Sequence, residues 1–254
     1  MRVGIDGCKK GWFYFQFDGS GLSFSVVTAL RGYLSRIPAK SVVLIDIPIG
    51  LRESGNRERD CDPAARKILG KPRASSVFPA PSRQAVLLPS ESSHKEASEE
   101  NRLHLGKGLS LQSWAIAPKI REVDELLRNP QGLELTIREV HPEVCFWGLS
   151  GKPMHHKKTT RKGFEERRAV LTNLIDGADK RIEQALKEYK KKDVARDDIL
   201  DALVAAYCAK RVDECCTLPA SPETDGKGLP MEMLYLPLNV PRPKTCRTEG
   251  ELAE

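Results

Sequence analysis

The sequence predicts a mixed α/β fold from three of its segments. Residues 2–27 contain three short β-prone stretches, RVGID, WFYFQF and LSFSVV, separated by turns that contain glycine, so we expect an antiparallel meander. The continuous apolar run SVVLIDIPIG over residues 41–50 is typical of a strand buried on both faces of a parallel sheet. The alanine-rich, apolar stretch over residues 197–212 predicts a buried helix. A meander that leads into parallel strands flanked by helices is a mixed α/β sheet.

The remaining segments give the order β-β-β-α-β, a helical insertion, β and then α. TALRGYLSRI has helical spacing, LELTIREVHP alternates like a fifth strand, and residues 164–192 form a basic helical region. The polar segment from about residue 52 to about residue 130 carries helical stretches such as PAARKILG, and we interpret it as an insertion after the fourth strand. Within it, SESSHKEASEE over residues 90–100 is expected to be the most mobile part. We predict one domain over residues 1–240 and a disordered tail over residues 241–254.

Composition indicates a soluble globular protein of 254 residues, 40% hydrophobic and 30% charged. No apolar run is long enough to span a bilayer or to act as a signal peptide, so we expect a cytoplasmic protein with no membrane partner. The seven cysteines include no Cys-x-x-Cys pair, which disfavours a structural zinc site. Residues 152–196 carry fourteen Lys or Arg against seven Asp or Glu. This block either attracts a polyanion such as nucleic acid or is a solvated helix face.

Two isolated acids follow apolar runs. Asp6 ends the first strand, where it either starts a turn with Gly7 or serves a site. Asp46 interrupts the most apolar segment of the chain, and a buried, unpaired carboxylate is costly. Asp46 therefore requires a hydrogen-bond donor, a cation or a place at the exposed end of the strand.

Three further acids, Asp197, Asp198 and Asp201, open the final helix. Asp198 and Asp201 have the spacing of N-cap and N3 residues, so one interpretation is helix capping and favourable interaction with the helix dipole. However, capping requires only one or two acids, and residues 198 and 201 share one helix face.

Asp6 and Asp46 would lie close together if the strands that carry them are neighbours in one sheet. A helix that crosses this sheet would bring Asp198 and Asp201 to the same place. Converging carboxylates repel one another without a cation, and Mg²⁺ or Mn²⁺ takes such oxygen ligands. Two ions about 4 Å apart activate water and stabilise the leaving oxygen of a phosphodiester.

This constellation resembles the RNase H-like superfamily, especially its Holliday-junction-resolvase branch. More narrowly, the chain resembles family 429 of the domain-of-unknown-function series, whose members are predicted to be RNase H-like nucleases. The stretches that carry the resemblance lie between residue 2 and about residue 236 and are GIDGCKKGW, DIPIGL, RDCDPAAR, SSVFPAP, QSWAIAPKIREVD, REVHPE, KKTTRKG and DDILDALVAA.

The resemblance implies an RNase H-like mixed five-stranded sheet and a nuclease that depends on Mg²⁺ or Mn²⁺, with two ions. Its implied catalytic and metal-binding residues are Asp6, Asp46, Asp198 and Asp201, and we add Asp197 as a further candidate ligand. A homodimer is possible by analogy with the resolvases.

The REVHPE motif leaves more than one interpretation open. The resemblance raises Glu139 as an extra ligand or general base, and the alternative is an ion pair at the end of the strand. His141 is expected to be a hydrogen-bonded structural residue, whereas no role is assigned to Glu143.

Basic residues provide the candidate contacts with nucleic acid. Lys157, Lys158, Arg161 and Lys162 lie in a run with few nearby acids, so we predict that they contact a phosphate backbone. Arg59 and Arg66 of the insertion either clamp a phosphate or pair with the acids beside them.

Two other functions compete with a nuclease. GIDGCKKGW also resembles the first phosphate-binding hairpin of the actin and sugar-kinase phosphotransferases, although those proteins normally contain two lobes. Alternatively, the protein binds nucleic acid without cleaving it.

Overall fold

The structure, a computed structural model, describes residues 1–243 and contains a central five-stranded sheet with the strand order β3-β2-β1-β4-β5. The strands are β1 (Arg2–Cys8), β2 (Gly11–Asp18), β3 (Gly21–Val27), β4 (Val42–Asp46) and β5 (Thr136–Glu139). The first three strands form the predicted antiparallel meander, and β4 and β5 continue the sheet in parallel with β1. The predicted mixed α/β sheet is therefore confirmed. Most of the tail predicted over residues 241–254 lies outside the described residues.

Nine α-helices surround this sheet in the described part of the chain. They are α1 (Leu30–Leu34), α2 (Cys61–Arg73), α3 (Arg83–Leu87), α4 (His94–Leu105), α5 (Leu111–Arg128), α6 (Pro142–Ser150), α7 (Arg161–Leu174), α8 (Ala178–Glu188) and α9 (Arg196–Lys210). In the sequence, helices α2 to α5 lie between β4 and β5, where the helical insertion was predicted. The basic region divides into α7 and α8, because Gly177 between them adopts the left-handed conformation with φ 75°. No helix among residues 1–243 combines the length and apolar character needed to cross a bilayer.

Helix α9 packs directly against one face of the sheet, and Gly4 on β1 makes the close approach possible. A Cβ atom at Gly4 would lie 1.9 Å from the backbone nitrogen of Ala206 and 2.3 Å from the carbonyl oxygen of Ala202. Only glycine fits there, because any side chain would overlap the helix backbone. Apolar residues of α6, α7 and α8 surround α9 and bury it, as its composition predicts.

The insertion covers the opposite face of the sheet. Ile120, Val123 and Leu126 of α5 pack there against Val3 and Ile5 of β1. Since alternate strand residues point to opposite faces, β1 places Val3 and Ile5 under the insertion and Gly4 and Asp6 under α9. Helices therefore cover both faces of the sheet.

The second half of the segment SESSHKEASEE forms the start of α4. Ser93 caps α4 by accepting a hydrogen bond from the backbone N–H of Glu96, whose carboxylate in turn accepts one from the N–H of Ser93. This reciprocal capping box has the pattern Ser-x-x-Glu. The polar composition of the segment gives no indication of the helix that this pattern starts. The late segment GLPMEMLYLP contributes β7 (Met233–Tyr235), which pairs with β6 (Cys216–Leu218) in a separate two-stranded sheet.

Candidate metal centre

Asp6 and Asp46 lie side by side at the carboxyl ends of two neighbouring parallel strands. They are direct register partners in the pairing of β1 with β4. Register partners point to the same face, and Gly4, two residues before Asp6, faces α9. Both aspartates therefore lie on the side of the sheet that α9 covers. The parallel register brings together two acids that are 40 residues apart in the sequence.

Asp201, in the second turn of α9, completes the group. One carboxylate oxygen from each of Asp6, Asp46 and Asp201 lies within 4.8 Å of the other two. We call these three residues the acidic cluster. Asp6 is 7% exposed and Asp201 is 1% exposed, whereas Asp46 is partly buried. The structure thus gathers three of the predicted ligands at one point.

The electrostatics of the acidic cluster are unfavourable to its own ionisation. Burial, together with repulsion from Asp46, raises the pKa of Asp6 well above its usual value. Burial and the neighbouring Asp201 do the same to the pKa of Asp46, and burial raises the pKa of Asp201. Carboxylates in this position gain most from a cation that neutralises them.

Lys158 supplies one positive charge to the cluster. Its Nζ lies 2.6 Å from Oδ2 of Asp201 and 3.6 Å from Oδ2 of Asp197. Burial of the ammonium works against its charge, but the attraction of Asp201, Asp6 and Asp46 outweighs burial and raises the pKa of Lys158. Lys158 was predicted to contact a phosphate backbone, and the structure places it on the acids themselves.

The geometry and chemistry of the cluster fit a hard divalent cation. Among residues 1–243, Oδ1 of Asp201 is buried and accepts no hydrogen bond, although Oδ2 of the same carboxylate binds Lys158. An orphaned, buried carboxylate oxygen is costly unless a cation or a water meets it. Asp6, Asp46 and Asp201 offer only oxygen donors, the set that Mg²⁺ and Mn²⁺ prefer.

Asp198 stands at the edge of this group and caps the helix. Helix α9 begins at Arg196, one residue before the predicted run of acids, so Asp198 is its third residue. A carboxylate oxygen of Asp198 accepts a hydrogen bond from the backbone N–H of Ala195 at 2.8 Å. Burial raises the pKa of Asp198 to about 7, with Asp197 and Asp201 adding to the effect. Asp198 therefore combines capping with a place in the field of the acidic cluster.

Glu139 is buried, and its partner is an arginine. Oε2 of Glu139 lies 2.7 Å from Nη1 of Arg59, and Oε1 lies 3.0 Å from Nη2. The backbone N–H of Ile49 also donates to Oε2 at 2.6 Å. Glu139 therefore forms the ion pair at the end of the strand that the alternative describes, and its role as ligand or general base stays a prediction.

The side chain of Arg59, the partner of Glu139, is also buried. It is 2% exposed, and besides Glu139 it binds Asp62, whose Oδ1 lies 2.6 Å from Nη2. The guanidinium of Arg59 thus serves two buried carboxylates, as the pairing alternative has it, and its contact with nucleic acid stays a prediction. Arg66 pairs with Glu58 at 2.6 Å, again as the alternative interpretation has it.

The other predicted basic contacts lie at the surface. Lys157, Arg161 and Lys162 are exposed on the loop and first turn of α7, next to Lys158. We call these three residues the basic rim. Thr160 caps α7 by accepting a hydrogen bond from the N–H of Gly163, which holds the segment that carries the rim.

The acidic cluster and Lys158 line one cavity, and four residues that sequence reasoning did not assign to a site line it with them. They are Phe78, Lys119, His141 and Glu143. Glu143 forms a buried ion pair with Arg167 at 2.5 Å, and its Oε2 accepts no hydrogen bond within residues 1–243. Burial lowers the pKa of His141 to about 4, so the ring is neutral, and its Nε2 lies 3.3 Å from the carbonyl oxygen of Ser76. Phe78 lies in the motif SSVFPAP, and His141 and Glu143 lie in the motif REVHPE. The spacing of the two motifs in the sequence does not show that they line one cavity.

A mixed α/β sheet with three carboxylates converging at the ends of its parallel strands defines a protein with a candidate site for a divalent cation. The family model described as Protein of unknown function (DUF429) matches residues 4–224. The chain belongs to this family, which confirms the narrower part of the predicted resemblance. No curated protein and no solved structure matches the chain.

Proposed function

We propose that this protein is a divalent-metal-dependent nuclease that hydrolyses phosphodiester bonds of nucleic acid. One observation carries the proposal, namely the convergence within 4.8 Å of one carboxylate oxygen each from the buried Asp6 and Asp201 and the partly buried Asp46. The RNase H-like resemblance of GIDGCKKGW, LIDIP and DDILDA supports the same reading. Mg²⁺ or Mn²⁺ held by the acidic cluster would supply the positive charge that polarises a phosphoryl oxygen and activates water.

The chain's own residues have separable tasks in this proposal. The acidic cluster would hold the cation, and Asp198 at its edge is the candidate for a fourth carboxylate and for a second ion. Lys158 carries a positive charge into the cavity, where it would attract the phosphate of the substrate. The basic rim would attract the phosphates that flank the scissile bond.

The structure weighs against the phosphotransferase alternative. Residues 1–243 contain one five-stranded sheet and one small two-stranded sheet, whereas a phosphotransferase of the actin type contains two related lobes. A protein that only binds nucleic acid is also disfavoured, because bare carboxylates beside a phosphate backbone weaken binding.

The test of the proposal is metal-dependent cleavage by the full chain. Labelled single-stranded, duplex and four-way-junction substrates of DNA and RNA are incubated with Mg²⁺, with Mn²⁺ and with EDTA. We expect cleavage only with metal, and a loss of at least about a hundredfold in Asp6→Asn and Asp201→Asn. Asp176→Asn is the matched control, because Asp176 is exposed between α7 and α8.

Metal binding gives a second readout that does not require a substrate. Isothermal titration with Mn²⁺ should show binding to the parent and to Asp176→Asn, and weaker binding to Asp6→Asn and Asp201→Asn. If both cluster variants keep their fold and cleave like the parent, the mechanism is wrong.

A further inference from the structure

The acidic cluster lies at the bottom of a small cavity. The cavity has a volume of about 330 Å³, and Asp6, Asp46 and Asp201 contribute to its floor. Ligand sites for small molecules range from about 300 to about 1,000 Å³, so this one holds a group of roughly the size of one nucleotide. Asp201 is only 1% exposed, which means that a phosphate must enter the cavity to reach it.

The inserted segment lines the same cavity with the apolar residues Val77, Phe78 and Ile116, and also with Arg59, Ser76 and Lys119. Phe78 is 37% exposed, a large exposure for an aromatic ring, and it lines the cavity together with Ile116 and Pro48. A partly exposed aromatic ring offers a surface on which a base can stack, and every nucleobase has a face that can do so. The cavity therefore combines an aromatic side chain with the carboxylates of the acidic cluster and with Lys158.

The basic rim lies outside the cavity, on the segment that also carries Lys158. Lys157, Arg161 and Lys162 are exposed there, whereas Lys158 reaches inward to Asp201. A nucleic-acid strand that places one phosphate near Lys158 would present its neighbouring phosphates to this rim. The charges thus suit a strand that continues beyond the cavity.

We infer that the cavity takes one unpaired nucleotide of a nucleic-acid strand, with its base against Phe78 and its phosphate at the acidic cluster. The inference rests on the proposed function and adds the substrate class. In a duplex each base stays stacked and paired, so it cannot enter a cavity unless it is extruded. A single strand, or a duplex with one unpaired nucleotide, pays less for extrusion and is the preferred substrate.

The test compares substrates of one sequence that differ only in pairing. A 20-nucleotide strand is prepared alone, in a perfect duplex and in a duplex with one bulged nucleotide, each as DNA and as RNA. Fluorescence anisotropy with Ca²⁺ in place of Mg²⁺ measures binding, and gel analysis with Mg²⁺ measures cleavage. We expect the single strand and the bulged duplex to bind more tightly and to be cleaved faster than the perfect duplex.

Phe78 provides the decisive variant. Phe78→Ala should weaken binding of the single strand by about 5-fold to 150-fold, the range for loss of one stacked base. Phe78→Trp should restore the affinity, because an indole also stacks. Leu87→Ala is the matched control, since Leu87 is a 41% exposed apolar residue of the same insertion outside the cavity. A melting curve of each variant checks its fold.

The outcomes separate this inference from the proposed function. Equal binding of perfect duplex and single strand, or an unchanged affinity in Phe78→Ala, overturns the inference while leaving metal-dependent cleavage intact. Binding that depends on Phe78 without any cleavage overturns the nuclease and keeps the site for an unpaired nucleotide. A 5′-mononucleotide that binds as tightly as the strand overturns the role of the basic rim.

Discussion

Replacing Asp198 by asparagine should stabilise the protein when no divalent metal is present. Asparagine keeps a side-chain oxygen that can accept the hydrogen bond from the N–H of Ala195, but it carries no charge. The substitution therefore removes the cost of burying a charge, together with the repulsion from Asp197 and Asp201, and leaves the capping contact in place.

The magnitude follows from the raised pKa. A pKa of about 7 instead of 3.8 means that the folded protein holds this proton more tightly than the unfolded chain does. The parent consequently loses free energy of unfolding as the pH rises from about 4 to about 7, at about 1.36 kcal/mol per pH unit. The total is about 4 kcal/mol, and the lost interaction with the helix N-terminus offsets about 0.3–1 kcal/mol of it.

Urea denaturation in EDTA, followed by circular dichroism, measures this effect. We expect Asp198→Asn to be about 3 kcal/mol more stable than the parent at pH 8.5, and this advantage to shrink by about 2 kcal/mol at pH 5.5. Adding Mg²⁺ should stabilise the parent more than the variant, because the ion neutralises the same buried charge. Asp176→Asn should show neither difference. An Asp198→Asn advantage that is absent, or that shrinks as the pH rises, would refute the electrostatic reasoning.

Three further substitutions test the architecture around the site. Arg59→Met should cost about 3–5 kcal/mol in urea denaturation, because it leaves two buried carboxylates without their cation, whereas the exposed Arg57→Met should cost less than about 1 kcal/mol. Gly4→Ala should cost about 3 kcal/mol or more, since its Cβ would overlap the backbone of α9, whereas Gly32→Ala, with open space around it, should be neutral or stabilising by up to about 1 kcal/mol. Lys158→Met should tighten Mn²⁺ binding by about tenfold in calorimetry, because its ammonium competes for the acidic cluster.

Each of these expectations has a clear contrary result. Equal losses of unfolding free energy in Arg59→Met and Arg57→Met would mean that the buried carboxylates do not need the positive charge of Arg59. A Gly4→Ala protein as stable as the parent would contradict the close packing of α9. Unchanged or weaker Mn²⁺ binding in Lys158→Met would show that this lysine helps to hold the cation rather than competing with it.

Much of the fold was readable from local pattern. The meander over residues 2–27, the buried strand around Asp46 and the apolar final helix each have a periodicity or composition that one conformation satisfies. Turn and cap chemistry was less visible, as the capping box at Ser93 shows. Patterns of this kind act over a few residues, so they report local structure and little else.

For the charged residues of the site, too, the sequence shows local features but not long-range contacts. Their unusual positions were visible in the sequence, since a carboxylate within or beside an apolar run is costly unless something meets it. The sequence also left two interpretations open for Glu139, Arg59 and Arg66, and local spacing could not choose between them. Arg59 lies 80 residues from Glu139 along the chain, and local spacing carries no information about such a pair.

The sequence by itself determined which elements form and which of their positions carry unneutralised acids, because burial and periodicity are properties of neighbouring residues. The tertiary structure decided which charges meet. The register of β1 against β4 pairs Asp6 with Asp46, the absence of a side chain at Gly4 lets α9 approach with Asp201, and the loop before α7 delivers Lys158. Electrostatic energy depends on distances in space, and only the folded chain sets those distances.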